Sequence, residues 1–134
     1  MKKNLELVAI IILSITVTAV IAYARPNQRF DAGTQTTRVL DFKNIRAGYK
    51  TFRSLCKSCH NHNNKSAPFL HSESRTMKAW NNIFHKKYPK CSKKGYWDKL
   101  TPEELLNLND YLFYNAYDSY DPYDPWDNGG YRPY

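Results

Sequence analysis

The segment Cys56-Lys57-Ser58-Cys59-His60 constrains this chain of 134 residues more than any other feature. Two thiols about one helical turn apart can form thioethers with the two vinyl groups of one porphyrin, and the adjacent imidazole can reach the iron from the same side. The pattern therefore predicts one covalently attached haem c per chain, bound through Cys56 and Cys59, with His60 as the proximal iron ligand. A zinc site or a thiol–disulfide site on the same two cysteines is the alternative. No second C-x-x-C or H-x-x-x-H pair follows to complete a zinc site.

Residues 1–24 have the layout of an export signal. Lys2 and Lys3 precede an apolar core from Leu7 to Ile21, and Ala22-Tyr23-Ala24 has the small-x-small form of a cleavage site. A bilayer span needs about 20 apolar residues, so the segment is predicted to be a signal peptide; if it is retained, it becomes a membrane anchor. The domain is expected in the periplasm or at the outer face of the inner membrane.

Hydrophobic periodicity predicts three amphipathic helices and an all-α fold. The first begins near residue 44 and leads into Cys56, and Gly48 inside it indicates a close approach of a second helix. The second covers about residues 74–87, and the third begins at the capping box Thr101-Pro102-Glu103-Glu104 and ends near Ala116. The predicted apolar faces are Ile45, Tyr49, Phe52 and Leu55; Met77, Trp80, Ile83 and Phe84; and Leu105, Leu108, Tyr111 and Leu112.

Outside these helices the chain lacks periodicity. Residues 25–43 are predicted to be a linker, residues 44–116 the folded domain, and residues 117–134 a Tyr/Asp/Pro-rich tail that is either disordered or a docking element. The 110 residues after residue 24 suffice for one small domain, in which a covalently held macrocycle would form a large part of the core.

Charge is distributed unevenly along the chain, whose net charge is +8. Residues 43–100 carry 14 Lys and Arg against two acids, whereas residues 101–134 carry seven acids against one Arg. Export argues against nucleic acid as the partner of the basic region. The basic region is therefore predicted to steer an acidic redox protein, such as a membrane-bound oxidase or reductase, and membrane contact is expected if the N-terminal segment is retained.

Two motifs resemble the small class I cytochromes c. Gly48-x-x-x-Phe52-x-x-x-Cys56-x-x-Cys59-His60 is similar to the N-terminal helix and haem site of that family, and Leu100 to Leu112 is similar to its C-terminal helix. The resemblance implies a cytochrome c-like small helical domain wrapped around one covalently attached haem. It also implies that Gly48 and Phe52 meet Tyr111 or Leu108. A hydrogen bond from the His60 ring to the Pro68 carbonyl is implied as well.

The chain departs from that family at the distal ligand. The loop that supplies a methionine in the family corresponds to residues 88–99, which contain neither Met nor His. The candidates for the distal ligand are therefore His85 and Met77, with His85 preferred, although Met77 also suits a core position and His85 a solvated helix face. Cys91 lies in this loop, where a buried structural thiol is the expected role.

The expected function is single-electron transfer between respiratory redox partners, with no catalytic residues. One alternative is a haem sensor or enzyme that binds a small gas or peroxide at an open sixth site. Another alternative is a haem subunit of a membrane complex.

Overall fold

The computed structural model describes residues 25–87 and 89–119, so the predictions for residues 1–24 and for most of the tail lie outside the described residues. The chain is mostly helical, in agreement with a small helical domain. Its elements are β1 (Gln28–Asp31), β2 (Thr36–Val39), α1 (Phe42–Thr51), a π-helical turn (Phe52–Cys56), α2 (Lys57–Cys59), α3 (Met77–Lys86), α4 (Lys90–Lys93) and α5 (Pro102–Tyr114). Within the described residues, no helix is both long enough and apolar enough to cross a membrane.

The crossing of α1 and α5 is the centre of the fold. A Cβ atom on Gly48 would overlap the carbonyl oxygen of Asn107 and lie 2.7 Å from Cβ of Tyr111, so only glycine allows the two backbones to approach this closely. The rings of Phe52 and Tyr111 pack beside this point with their centroids 5.5 Å apart. The predicted contact of Gly48 and Phe52 with Tyr111 is thus confirmed.

The buried core combines the predicted faces of all three long helices. Trp80 and Ile83 of α3 are buried, and so are Leu108, Tyr111 and Leu112 of α5. The capping box at the start of α5 is also confirmed, because the Thr101 hydroxyl accepts a hydrogen bond from the Glu104 amide and the Glu104 carboxylate accepts one from the Thr101 amide.

A β-hairpin occupies residues 28–39, so the prediction of a linker over residues 25–43 is wrong for this segment. β1 and β2 pair antiparallel, with Arg29 opposite Arg38. In β1 the charged Arg29 and Asp31 are buried, whereas Phe30 is more than half exposed. This inverts the usual strand pattern, in which apolar side chains point inward and polar ones outward. The segment carries no apolar alternation by which the strand could have been recognised.

Buried ion pairs hold the hairpin on α5. The side chains of Arg29 and Asp110 have no exposed surface. Nε of Arg29 donates to Oδ1 of Asp110 at 2.8 Å, and Nε of Arg38 donates to Oδ2 of the same carboxylate at 2.8 Å. Arg29 also donates to Asp31 at 2.7 Å. We call these four residues the hairpin–α5 junction, in which each ionised group faces an oppositely charged partner.

The beginning of the predicted tail belongs to the folded domain. Residues Tyr117–Ser119 form a 3₁₀ turn, and Ser119 is buried. The Asp118 carboxylate accepts a hydrogen bond from the Met77 amide at 2.7 Å, and the Tyr117 amide donates to the Arg75 carbonyl at 3.0 Å. The domain therefore extends past the predicted boundary at residue 116 and closes on the N-terminus of α3.

Candidate functional site

The motif Cys56 to His60, called the attachment motif because it is the predicted haem attachment site, follows α1 after a change in helical pitch. The π-helical turn Phe52–Cys56 separates α1 from α2, and α2 ends at Cys59 with His60 as its C-terminal cap. A π-helical turn inserts one residue, which rotates the following side chains by about 100° relative to a continuous α-helix. The side chains of Cys56 and Cys59 are therefore rotated about the helix axis relative to the core face of α1. An uninterrupted α-helical periodicity does not predict this rotation.

The His60 ring is oriented by a backbone carbonyl. Its Nδ1 lies 2.7 Å from the carbonyl oxygen of Pro68. Because a carbonyl oxygen can only accept, Nδ1 must carry a proton, so a neutral ring has its lone pair on Nε2. Ligating histidines in metal sites are commonly fixed in this way by a bond at the other ring nitrogen. The contact that the family resemblance implied is present.

Residues 56–71, which we call the attachment loop, fold back on the motif through further contacts. The Asn61 side chain donates to the carbonyls of Lys57 and Ser58 and accepts from the amides of Asn63 and Asn64. It thus satisfies backbone groups left open where α2 ends.

The Phe69 ring lies between two side chains from the other end of the loop. Nζ of Lys57 lies 3.7 Å from the ring centroid, and the His62 ring stacks on Phe69 with a centroid distance of 3.7 Å. The same Lys57 Nζ donates to the Leu70 carbonyl at 3.2 Å. These contacts pack the segment that carries Pro68 against α2.

The cysteines are free thiols, and all three are half-buried. Burial raises the pKa of the Cys56 thiol to about 12, and the nearby Cys91 and Cys59 thiols contribute smaller increases. Cys56 is therefore a neutral thiol at physiological pH. Cys56 and Cys91 both pack against the hydrophobic core, which agrees with a structural position for Cys91.

The two candidate distal ligands lie in different surroundings. Met77, at the first turn of α3, packs against the hydrophobic core, as do Cys56 and Leu70. His85 is exposed and lines a cavity of about 200 Å³ beside the hairpin turn, with Phe84 and Trp97 among its other lining residues. Neither Cys56, Cys59 nor His60 lines this cavity. The structure therefore places His85 with the hairpin turn and Met77 with the core.

Several contacts that build the site were not predicted from the sequence. Lys57 occupies a variable position of the motif, and Asn61 and Phe69 belong to a polar segment without periodicity. Their roles depend on contacts within a non-repetitive loop, for which neither spacing nor residue type gives a signal. In the described part of the chain, no three His, Cys, Asp or Glu side chains converge as a metal site, and a haem iron would need only His60 and one further side chain.

Comparison with protein-family models, curated proteins and solved structures finds no match to this chain.

Proposed function

We propose that the chain is an exported c-type cytochrome that carries single electrons between respiratory partners, with one haem attached through Cys56 and Cys59. The observation that carries the proposal is the 2.7 Å contact between Nδ1 of His60 and the Pro68 carbonyl, directly after two free thiols. In the neutral ring this contact places the proton on Nδ1 and the lone pair on Nε2, the nitrogen through which the imidazole would bind iron. Haem would supply an iron centre that alternates between ferric and ferrous states.

The surroundings of the thiols fit a large apolar group. Cys56, Leu70 and Met77 are only partly buried although they pack against the core, so apolar surface at the edge of the core is left for further contact. A neutral Cys56 thiol suits such an apolar environment. The alternative of a structural zinc site needs four ligands and fits this neighbourhood less well, because no such group converges among the described residues.

Of the two candidate distal ligands we now favour Met77, because its side chain packs with the core whereas His85 is exposed. Methionine ligation would raise the reduction potential relative to a second imidazole. We expect Met77→Leu to abolish the red charge-transfer band of the ferric protein and His85→Ala to leave the spectrum unchanged. A high-spin ferric spectrum in the unsubstituted protein would instead favour the sensor or enzyme with an open sixth site.

The proposed partner is an acidic redox protein. Every Lys and Arg between residues 43 and 100 is exposed except Lys57, so the basic region is available for electrostatic steering. Electron exchange with an acidic partner should slow steeply as ionic strength rises through about 0.1 M, where the Debye length is about 10 Å. Rates that do not change with salt would contradict steering.

Mass spectrometry tests the cofactor. The chain is expressed in a host with cytochrome c maturation machinery, and we expect the mass of the protein plus one haem to survive acid–acetone extraction. The control is the double variant Cys56→Ser/Cys59→Ser, which should lose the added mass. Apoprotein plus zinc, or a disulfide between Cys56 and Cys59 without haem, would refute the proposal.

A further inference from the structure

Lys57 lies between the two cysteines in the sequence, and its side chain contacts the other end of the attachment loop. Its Nζ lies 3.7 Å from the centroid of the Phe69 ring and donates to the Leu70 carbonyl at 3.2 Å. It is the one Lys or Arg between positions 43 and 100 that is not exposed. A lysine side chain loses conformational entropy when it is held in one place, and the two contacts offset that cost.

The two contacts involve the residues that directly follow the carbonyl that orients His60. Pro68 precedes Phe69 and Leu70 directly, and its carbonyl lies 2.7 Å from Nδ1 of His60. Lys57 thus holds the two residues after Pro68, while His62 stacks on the same Phe69 ring at a centroid distance of 3.7 Å. Pro68 itself is exposed, so the position of its carbonyl depends on how Phe69 and Leu70 are held, by these side chains and by the packing of Leu70 against the hydrophobic core.

We propose that Lys57 is a positioning residue for the His60 imidazole, acting through Phe69 and Leu70 to keep the Pro68 carbonyl on Nδ1. The inference rests on the proposed function, because it assigns the orientation of the proximal ligand to a variable position of the attachment motif. Lys57 touches neither His60 nor the carbonyl itself. Its effect is to lower the frequency with which the loop opens and frees Nδ1.

The proton on Nδ1 of His60 is the direct readout. A hydrogen-bonded proton exchanges with solvent only when the bond opens, so its exchange rate reports the opening of this contact. The reduction potential is less suitable, because removal of a nearby positive charge lowers it, whereas a weaker Nδ1 bond makes the imidazole less basic and raises it. The full chain labelled with ¹⁵N-histidine reports the Nδ1 proton with or without iron.

We expect Lys57→Met, which keeps the apolar length but loses the charge and the donor, to speed exchange about fivefold, the factor given by loss of one ordinary hydrogen bond. Lys57→Arg, which keeps the charge, the donors and the ability to bind an aromatic face, should exchange like the unsubstituted protein. The matched control is Lys65→Met, which removes one exposed charge from the same loop and should have no effect. If Lys57→Met does not fold, Lys57→Gln compared with Lys65→Gln decides the same question.

Equal exchange in Lys57→Met and Lys65→Met would overturn the proposal, and so would Lys57→Arg exchanging as fast as Lys57→Met. For the second pair, equal exchange in Lys57→Gln and Lys65→Gln would have the same meaning. Absence of haem from the mass of the unsubstituted protein would refute the proposed function instead. The mass and the ratio of exchange rates therefore separate the two failures.

Discussion

At the hairpin–α5 junction the charged side chains of Arg29 and Asp110 have no exposed surface, whereas around the attachment motif the thiols and the imidazole remain half-exposed. The junction is fixed by ion pairs between β1, β2 and α5, which are distant in sequence, whereas the hydrogen bonds and ring contacts of the attachment loop span at most 13 residues. Removal of a buried charged partner costs several kcal/mol, whereas each loop contact contributes about 1 kcal/mol or less. The hairpin–α5 junction thus contributes more to the stability of the fold, whereas the region around the attachment motif carries the half-exposed thiols and imidazole.

Asp110→Asn is expected to have the largest effect. The substitution removes the carboxylate shared by Arg29 and Arg38 and leaves the buried Arg29 with only Asp31 as an ionised partner, at a cost of about 3–5 kcal/mol. The free energy of unfolding from denaturant titration measures it. Glu103→Gln is the control, because Glu103 pairs with Arg38 but its side chain is 62% exposed, and it should cost less than about 1 kcal/mol. Equal effects in the two variants would contradict the special role of the junction.

Gly48→Ala tests the close approach of α1 and α5. Alanine favours a helix by up to about 1 kcal/mol, but its Cβ would overlap backbone atoms of Asn107, which cannot rotate away. We expect a net loss of about 1–3 kcal/mol in the free energy of unfolding. Lys50→Ala, at an exposed position of the same helix, should change stability by less than about 0.5 kcal/mol. A more stable Gly48→Ala variant would show that α1 and α5 can move apart without cost.

Alkylation of the chain without haem tests the reactivity of the Cys56 thiol in the attachment motif. At neutral pH a thiol with a pKa of about 12 carries about a thousandfold less thiolate than one at 9.0, and its higher nucleophilicity offsets part of this difference. We expect iodoacetamide to label Cys56 about thirtyfold more slowly in native buffer than in guanidinium chloride. Peptide mass spectrometry gives the rate at Cys56. Equal rates would mean that the haem-free chain does not protect this thiol.

The same pKa shift has a consequence for stability. The unfolded thiol loses its proton near 9.0, whereas the folded one keeps it until about 12. The unfolded state therefore binds fewer protons in between, and the free energy of unfolding should fall as pH rises from 9 toward 12. Cys56→Ala should remove this contribution to the alkaline decline.

The smallest expected change comes from Asn61→Ala. Its side chain makes four hydrogen bonds within the attachment loop, so its loss should increase amide exchange of Asn63 and Asn64 about fivefold. Because the loop opens locally, the free energy of global unfolding should change by less than about 1 kcal/mol. Asn63→Ala, an exposed neighbour, is the control. A global loss as large as that of Asp110→Asn would show that the two regions unfold together.

The sequence predicted the parts of the fold that depend on apolar periodicity. The three long helices, the capping box at Thr101 and the close approach at Gly48 all have local or periodic signals, and the structure confirms them. The hairpin was not predicted, because Arg29 and Asp31 point inward and Phe30 points outward. The burial of Asp110 was not predicted either, because it depends on the ion pair with Arg29. An ion pair between residues 81 positions apart produces no pattern in the sequence of either segment alone.

Of the candidate site, the motif Cys56 to His60 was identified directly in the sequence, and the contact of His60 with the Pro68 carbonyl was predicted through the family resemblance. The π-helical turn and the contacts of Lys57 and Asn61 were not predicted, because each depends on the path of a loop rather than on a repeat. The presence of the haem and the identity of its distal ligand remain predictions, which the experiments described above test.

The ion pair between Arg29 and Asp110 also bears on the order of synthesis and folding. Arg29 lies in β1, and its partner Asp110 lies in α5, 81 residues later in the chain. Contacts between residues so far apart in the chain slow folding, because a long loop must close before they can form. The hairpin therefore has no place to dock until α5 has been synthesised, and the segment that carries Cys56 and Cys59 lies between these two elements in the chain. The proposed haem attachment at Cys56 and Cys59 can thus precede the final closure of the domain.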